Sequence, residues 1–262
     1  MKRSCVIICP LGLSPPVVTE FLDYTINIFN YRVLDIYLIA TREEKVIESV
    51  KVVEAAIKHK YPNVKVTVDY LNYTDVDSDE TQIDFMRLVL RRLKWFSNRY
   101  GKVDILVNVA GGRKTMVLLT TLVATLVGTP YVYHIIASDI KAFNEALERV
   151  RSDISEIARI DSLEGRVEEY RKRLDKLDPV MYPPRDSYKV IQIPIIPYPI
   201  DYIGKLMKII TTRKPIEVEE SGLDDTTLNM LSKVNIVKIY SKASKKYIAL
   251  NQLGEKLRKM LT

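Results

Sequence analysis

The chain has 262 residues, 47% of them hydrophobic and 28% charged, with a formal net charge of +7. That length supports a full core in one or two domains, and the hydrophobic content excludes a disordered chain. The basic balance favours an anionic partner or substrate, and the lack of an unbroken apolar run of about 18 residues excludes a membrane-spanning helix.

The chain starts MKRSCVIICPLGLSPP, which superficially suggests a signal peptide. Its apolar centre is only a strand's length and is interrupted by Pro10, Pro15 and Pro16, so the reading is a buried first strand over 4–9. Cys5 and Cys9 share one face of that strand, roughly 13 Å apart at about 3.3 Å per residue, too far for a disulfide. They are expected as buried free thiols. A helix follows over 15–29, with Ser14 as its expected N-cap and Pro15 at the first helical position.

Strands are then expected at 33–40, 64–70, 103–109 and 131–137, separated by helices at 43–60, 80–99 and 114–127. Near-continuous apolar strands alternating with amphipathic helices predict a doubly wound, mainly parallel α/β sheet covered on both faces. His59 stands on a charged helix end and His134 within a strand, and with two distant cysteines they form no recognised metal spacing. The acidic run DVDSDE at 75–80 reads as a helix-start loop rather than a metal site.

Ligands on such sheets bind beyond the carboxyl ends of the strands. Two corners there carry unusual composition: CPLGLSPPVVTE after the first strand and NVAGGRKTM after the fourth. Gly111 and Gly112 permit positive φ and close backbone approach. Arg113 and Lys114 then place two cations at a helix start, where the macrodipole favours anions, so an anionic ligand would relieve the arrangement. The spacing G-x-x-x-x-G-K-[ST] is absent and so is G-x-G-x-x-G, which excludes a Walker loop and a nicotinamide-binding fingerprint.

Residues 139–177 carry a charged helical signal, expected as one or two surface helices with Gly165 as a break. YKVIQIPIIPYP at 188–199 reads as a strand leading into a proline-stiffened linker. From Asp201 the order is helix, short helix, helix over 224–234, a two-stranded basic wing and a closing helix over 252–261, which suggests a winged helix-turn-helix. This tail has twelve Lys/Arg against seven Asp/Glu. Its third helix offers Asp224, Asp225, Asn229 and Lys233, poor equipment for reading bases, whereas Lys242, Lys245 and Lys246 suit weak, sequence-independent phosphate contacts. Three segments are therefore expected: a ligand-binding domain over 1–137, a charged helical segment with a strand and linker over 138–200, and a winged-helix-like domain over 201–262.

Through GLSPPVVTEFL and NVAGGRKTM the chain resembles the CRISPR-associated Rossmann-fold (CARF) proteins over about residues 1–137. More narrowly it is similar to archaeal CRISPR ring nucleases that cleave cyclic tetraadenylate. The resemblance implies a homodimer with one ring across its two-fold axis, and a cytoplasmic location. It implies that Ser14 and Lys114 contact the ring as catalytic residues, with Gly12, Leu13, Gly111, Gly112, Arg113 and Thr115 lining the site. It also implies a reaction without metal or other cofactor, in which a ribose 2′-hydroxyl attacks the adjacent phosphorus and leaves 2′,3′-cyclic phosphate ends. Many such relatives carry a HEPN nuclease, marked by an arginine four to six residues before a histidine. No arginine has that spacing before His59 or His134. Two readings follow: a ring nuclease that switches off the signal, or a winged-helix transcriptional regulator that binds the ring and DNA without cleavage.

Overall fold

The computed structural model describes residues 2–101, 103–195 and 200–261. Five parallel strands alternate with four helices: β1 Ser4–Leu11, α1 Pro16–Asn27, β2 Arg32–Ala40, α2 Glu44–Lys60, β3 Lys65–Tyr70, α3 Asp79–Tyr100, β4 Asp104–Asn108, α4 Lys114–Leu126 and β5 Val132–Ala137. Each expected strand and helix of this half is present, within two residues at each end. A sixth strand, β6 Tyr188–Ile193, pairs antiparallel with β5, giving the order β3-β2-β1-β4-β5-β6.

Alternation along β1 shows why the sheet needs covering on both sides. Cys5, Ile7, Cys9 and Leu11 enter the core beneath α1 and α2, while Val6 and Ile8 enter the one beneath α3 and α4. Burying one such aliphatic side chain stabilises by about 1.5–3 kcal/mol, so β1 is a main source of the fold's stability. Both cysteines are free and buried, and burial pushes the Cys5 thiol up to about 12, which keeps it protonated and inert.

The expected break at Pro10 is not observed. Pairing with β4 ends at Ile8–Val107, whereas pairing with β2 continues to Leu11–Ala40. A proline lacking its N–H fits there, because nothing from β4 requires a donor.

Residues 139–181 form four short helices instead of one or two: α5 Ile140–Arg149, α6 Arg151–Ala158, α7 Leu163–Arg171 and α8 Leu174–Met181. They are not only a solvated surface, since Leu147, Ile154, Ile157, Tyr170, Leu177 and Met181 join the core with α1 and α2. Gly165 does not break the chain. It sits inside α7, its N–H donating to the capping Ser162 hydroxyl, and a Cβ there would crowd Ile160 and Ser162 at 2.8 Å.

The proline-rich stretch 196–199 lies outside the described residues. Beyond it come α9 Ile200–Thr211, β7 Ile216–Glu217, α10 Val218–Ser221, α11 Asp225–Lys233, β8 Val237–Lys242, β9 Lys245–Leu250 and α12 Gln252–Leu261. The strands form a small sheet in the order β7-β9-β8 over a separate core of Ile209, Leu228, Leu231, Val237 and Ile248. Asp224 caps α11 by accepting from the Thr227 N–H at 2.8 Å. The unit docks through α12 on α3: Leu257 and Leu261 pack into the second core, Lys256 pairs with Asp79, and Arg87 donates to the Lys259 carbonyl. Among the described residues no helix is long and apolar enough to cross a membrane.

Candidate functional site

From β1 the chain crosses over to β2 on one side, while β4 pairs with β1 on the other. The sheet's order therefore reverses between β1 and β4, and the region beyond their carboxyl ends is where such sheets bind ligands. Both singled-out corners lie at this point. They touch each other: a Cβ on Gly12 would stand 3.1 Å from the Gly112 Cα. At Gly111 an added Cβ would collide with the Pro10 carbonyl oxygen, and Gly112 has φ of +88°. The first use of these glycines is thus to let the two loops pack. Ser14 and Lys114 each follow that contact by two residues, at most about 7 Å of chain.

Asn108, fully buried at the end of β4, locks the corner in place. Its amide donates to the Val17 carbonyl in α1 at 2.9 Å and its side-chain oxygen accepts from the Ala110 N–H at 3.0 Å. Sequence reading missed it, although a lone amide ending an apolar strand is a signal of this kind of staple. His134 has a structural place too, its Nδ1 lying 3.2 Å from the Val109 carbonyl.

Arg113 and Lys114 stand side by side but in different circumstances. Arg113, the N-cap of α4, pairs with Glu43 at 2.8 Å and with Asp75 at 3.6 Å, carboxylates from the loops after β2 and β3. Its counter-charges come from within the chain. Lys114 opens α4, is exposed, and has no hydrogen bond or ion pair among the described residues. A cation at a helix N-terminus costs about 0.3–1 kcal/mol against the macrodipole, and only Lys114 is left without internal compensation.

Ser14 does not cap α1. Pro15 occupies the cap position in helical conformation, the helix begins at Pro16, and no side chain caps it. Pro15 and Pro16 present no N–H, which leaves a cap at Ser14 only the Val17 N–H to serve. Half-buried Ser14 is without a partner among the described residues. Leu13 is 39% exposed at the same lip, and Thr115 is half-buried in the first turn of α4. The acidic run 75–80 divides its roles: Asp75 binds Arg113, Ser78 caps α3 in a reciprocal box with Thr81, and Asp79 holds Lys256.

In the small C-terminal sheet, Lys242 and Lys246 are exposed and without ion pairs among the described residues, whereas Lys245 is held by Glu217 at 2.9 Å. Met230 on α11 is 63% exposed and Val234, just past its end, 55%, groups unsuited to reading base edges.

Structural comparison finds Csm6 of Enterococcus italicus, solved bound to cyclic hexa-2'-fluoro-hexa-dAMP. It is 14% identical over 79% of this chain and 45% of that chain, with a TM-score of 0.44. Can2 of Sulfobacillus thermosulfidooxidans, solved with cyclic tetra-adenylate, is 11% identical over 98% of this chain and 64% of that chain, with a TM-score of 0.35. Protein VC1899 of Vibrio cholerae is 10% identical over 97% of this chain and 64% of its own, with a TM-score of 0.36. The chain thus spans about half of the first and less than two thirds of the other two. No curated protein matches it in sequence. A family model does match, over residues 14–228, and by that match the chain belongs to the family of CRISPR-associated protein NE0113.

Proposed function

We propose that this protein binds cyclic tetraadenylate at the β1/β4 corner and cleaves it without metal to linear products with 2′,3′-cyclic phosphate ends, switching off a type III CRISPR signal. The observation that carries this reading is the state of Lys114: an uncompensated cation at a helix N-terminus, at the switch point of a doubly wound sheet, in a CRISPR-associated chain. An anion is what such a site lacks. Lys114 would stabilise charge developing on the phosphorane oxygens, and the unpartnered Ser14 hydroxyl would hold the ribose-phosphate bent for in-line attack. Gly12, Leu13, Gly111, Gly112, Arg113 and Thr115 would line the ring. Among the described residues the carboxylates nearest the corner, Glu43 and Asp75, are paired with Arg113, so positioning and charge would supply the rate.

A two-fold dimer fits the same surface. Lys114, Leu118 and Leu122 recur every four residues and so share one face of α4, where Leu118 is 70% and Leu122 45% exposed. Pairing this face across a two-fold axis covers the leucines and brings both copies of Lys114 to one seam. Incubating the protein with cyclic tetraadenylate in EDTA and resolving the products tests the proposal. Linear products with cyclic phosphate ends support it, and an intact bound ring transfers it to the second reading. In that reading the C-terminal unit is a winged helix whose exposed Lys242 and Lys246 contact DNA in a ligand-responsive regulator.

A further inference from the structure

Arg113 has one carboxylate more than its charge requires. Glu43 accepts from its Nη2 at 2.8 Å and Asp75 lies 3.6 Å from its Nε, so the three side chains together carry a surplus negative charge. That surplus adjoins Lys114, which directly follows Arg113 in α4. In a chain of formal net charge +7, the corner assigned to a polyanion is therefore neutral over these two cations and two carboxylates. An acid beside an anion site costs affinity, since like charges about 6 Å apart repel enough to weaken binding several-fold.

Neither acid is used to cap its own helix. Glu43 is the N-cap residue of α2, where a side chain can satisfy a free N–H, yet its carboxylate makes no cap hydrogen bond and turns to Arg113 instead. Asp75 accepts from the Val76 N–H at 2.7 Å, and α3 is capped by Ser78. Arg42, next in sequence to Glu43, sits over the Tyr70 ring at 6.0 Å and has no ion pair among the described residues. One carboxylate is enough to staple Arg113 to a neighbouring loop. The loops after β2 and β3 each send one, both to the carboxyl end of the sheet where the ring is proposed to lie.

The proposed reaction gives such a surplus a use. The 2′-oxygen bonds to phosphorus as the 5′-oxygen leaves, and the 2′-hydroxyl proton ends on that 5′-oxygen. One phosphodiester becomes one cyclic phosphate, each with a single charge, so the linear product keeps every charge of the ring. A corner that held the ring by cations alone would hold the product equally, and turnover would stop at release. Fixed negative charge weakens the hold on both. Lys114 stays free to meet charge that develops only in the transition state.

We infer that Glu43 and Asp75 are positioning residues that act through Arg113 as an acidic counterweight, setting the corner's hold on phosphate low enough for the cleaved product to leave. The inference rests on the cleavage reading of the corner. It is tested with wild type, Glu43→Gln, Glu43→Asp, Asp75→Asn and, as a remote change of the same charge, Glu145→Gln on α5. Each is titrated with linear tetraadenylate ending in 2′,3′-cyclic phosphate, and its single-turnover and steady-state rates on cyclic tetraadenylate are measured in EDTA. Glu43→Gln and Asp75→Asn are expected to bind the linear product about 3–30-fold tighter, to keep single-turnover rates within about twofold, and to lose steady-state turnover in proportion. Glu43→Asp, which keeps the charge, and Glu145→Gln are expected to match wild type. Product affinity unchanged or lower in Glu43→Gln and Asp75→Asn would make the acids loop staples and overturn the inference. Equal tightening in Glu145→Gln, or tighter product binding with undiminished steady-state turnover, overturns it too. In each of these cases cleavage by wild type leaves the corner reading standing. A wild type that leaves the ring intact overturns that reading and the inference with it.

Discussion

At the scale of single residues, the corner separates two neighbouring cations by what their surroundings do for them. Arg113 has two carboxylates; Lys114 has none among the described residues. Arg113→Ala is therefore expected to cost stability, by freeing Glu43 and Asp75, more than it costs ring affinity, and paired denaturation and titration curves check that ranking. Glu20 gives a pH-dependent expectation. Burial in α1, where Glu20 is 3% exposed, pushes its carboxyl up to about 7 from an ordinary 4.5, so the folded protein holds a proton that the unfolded chain releases between those values. Stability falls as pH rises through that window, by roughly 3 kcal/mol. Asp139 lines a cavity with Glu20, the Tyr188 hydroxyl donates to the Glu20 carbonyl, and both are unchanged in Glu20→Gln. That variant is expected to gain on wild type by about 2–3 kcal/mol at pH 8 relative to pH 5 in chemical denaturation, and parallel stability curves would contradict it. The two corners were legible in sequence because glycines, prolines and cations at strand ends are rare, whereas Ser14 and Lys114 were expected as catalytic residues only through the family resemblance. Asn108, Glu43, Asp75 and Glu20 were not legible, since their roles depend on which distant loops the fold brings together.

At the scale of elements, the five parallel strands and their helices were legible because hydrophobic period alone separates a doubly covered strand from an amphipathic helix. What escaped was governed by pairing and packing. Pro10 stays in β1 because β4 has already stopped pairing there, and Gly165 stays in α7 because Ser162 caps it. The four short helices looked like a solvated surface by charge, yet each contributes apolar side chains to the core. The corner itself depends on loop contact. Gly111→Ala drives a Cβ into the Pro10 carbonyl, and backbone oxygen cannot turn aside as a flexible side chain would. Such overpacking typically costs about 1–3 kcal/mol. Asn108→Ala removes the bonds to Val17 and Ala110 and leaves a gap in the buried corner, with a similar expected loss. Equilibrium denaturation of both variants measures it, and unchanged midpoints would mean that neither the loop contact nor the Asn108 bonds hold the corner.

At the scale of the whole molecule, the proposed function makes separate demands on the α4 face and on the C-terminal unit. Leu118→Glu places a charge in the exposed apolar stripe of α4 and is expected to convert a dimer to a monomer in light scattering, with ring binding lost alongside. A wild type that is monomeric with and without ring would contradict the shared seam. Binding of duplex DNA through Lys242 and Lys246 is expected to be weak, to fall steeply with salt and to lack sequence preference. A selected motif bound far above random sequence would favour the regulator instead. The central claim is cleavage at Lys114, and single-turnover reaction of cyclic tetraadenylate in EDTA, with protein in excess, tests it most directly because binding and chemistry separate. Wild type is expected to yield linear products with 2′,3′-cyclic phosphate ends, and Lys114→Ala to be about 10²–10³ slower at saturating protein while losing less in affinity. Equal rates for the two proteins, or a ring left intact by wild type, would contradict the account.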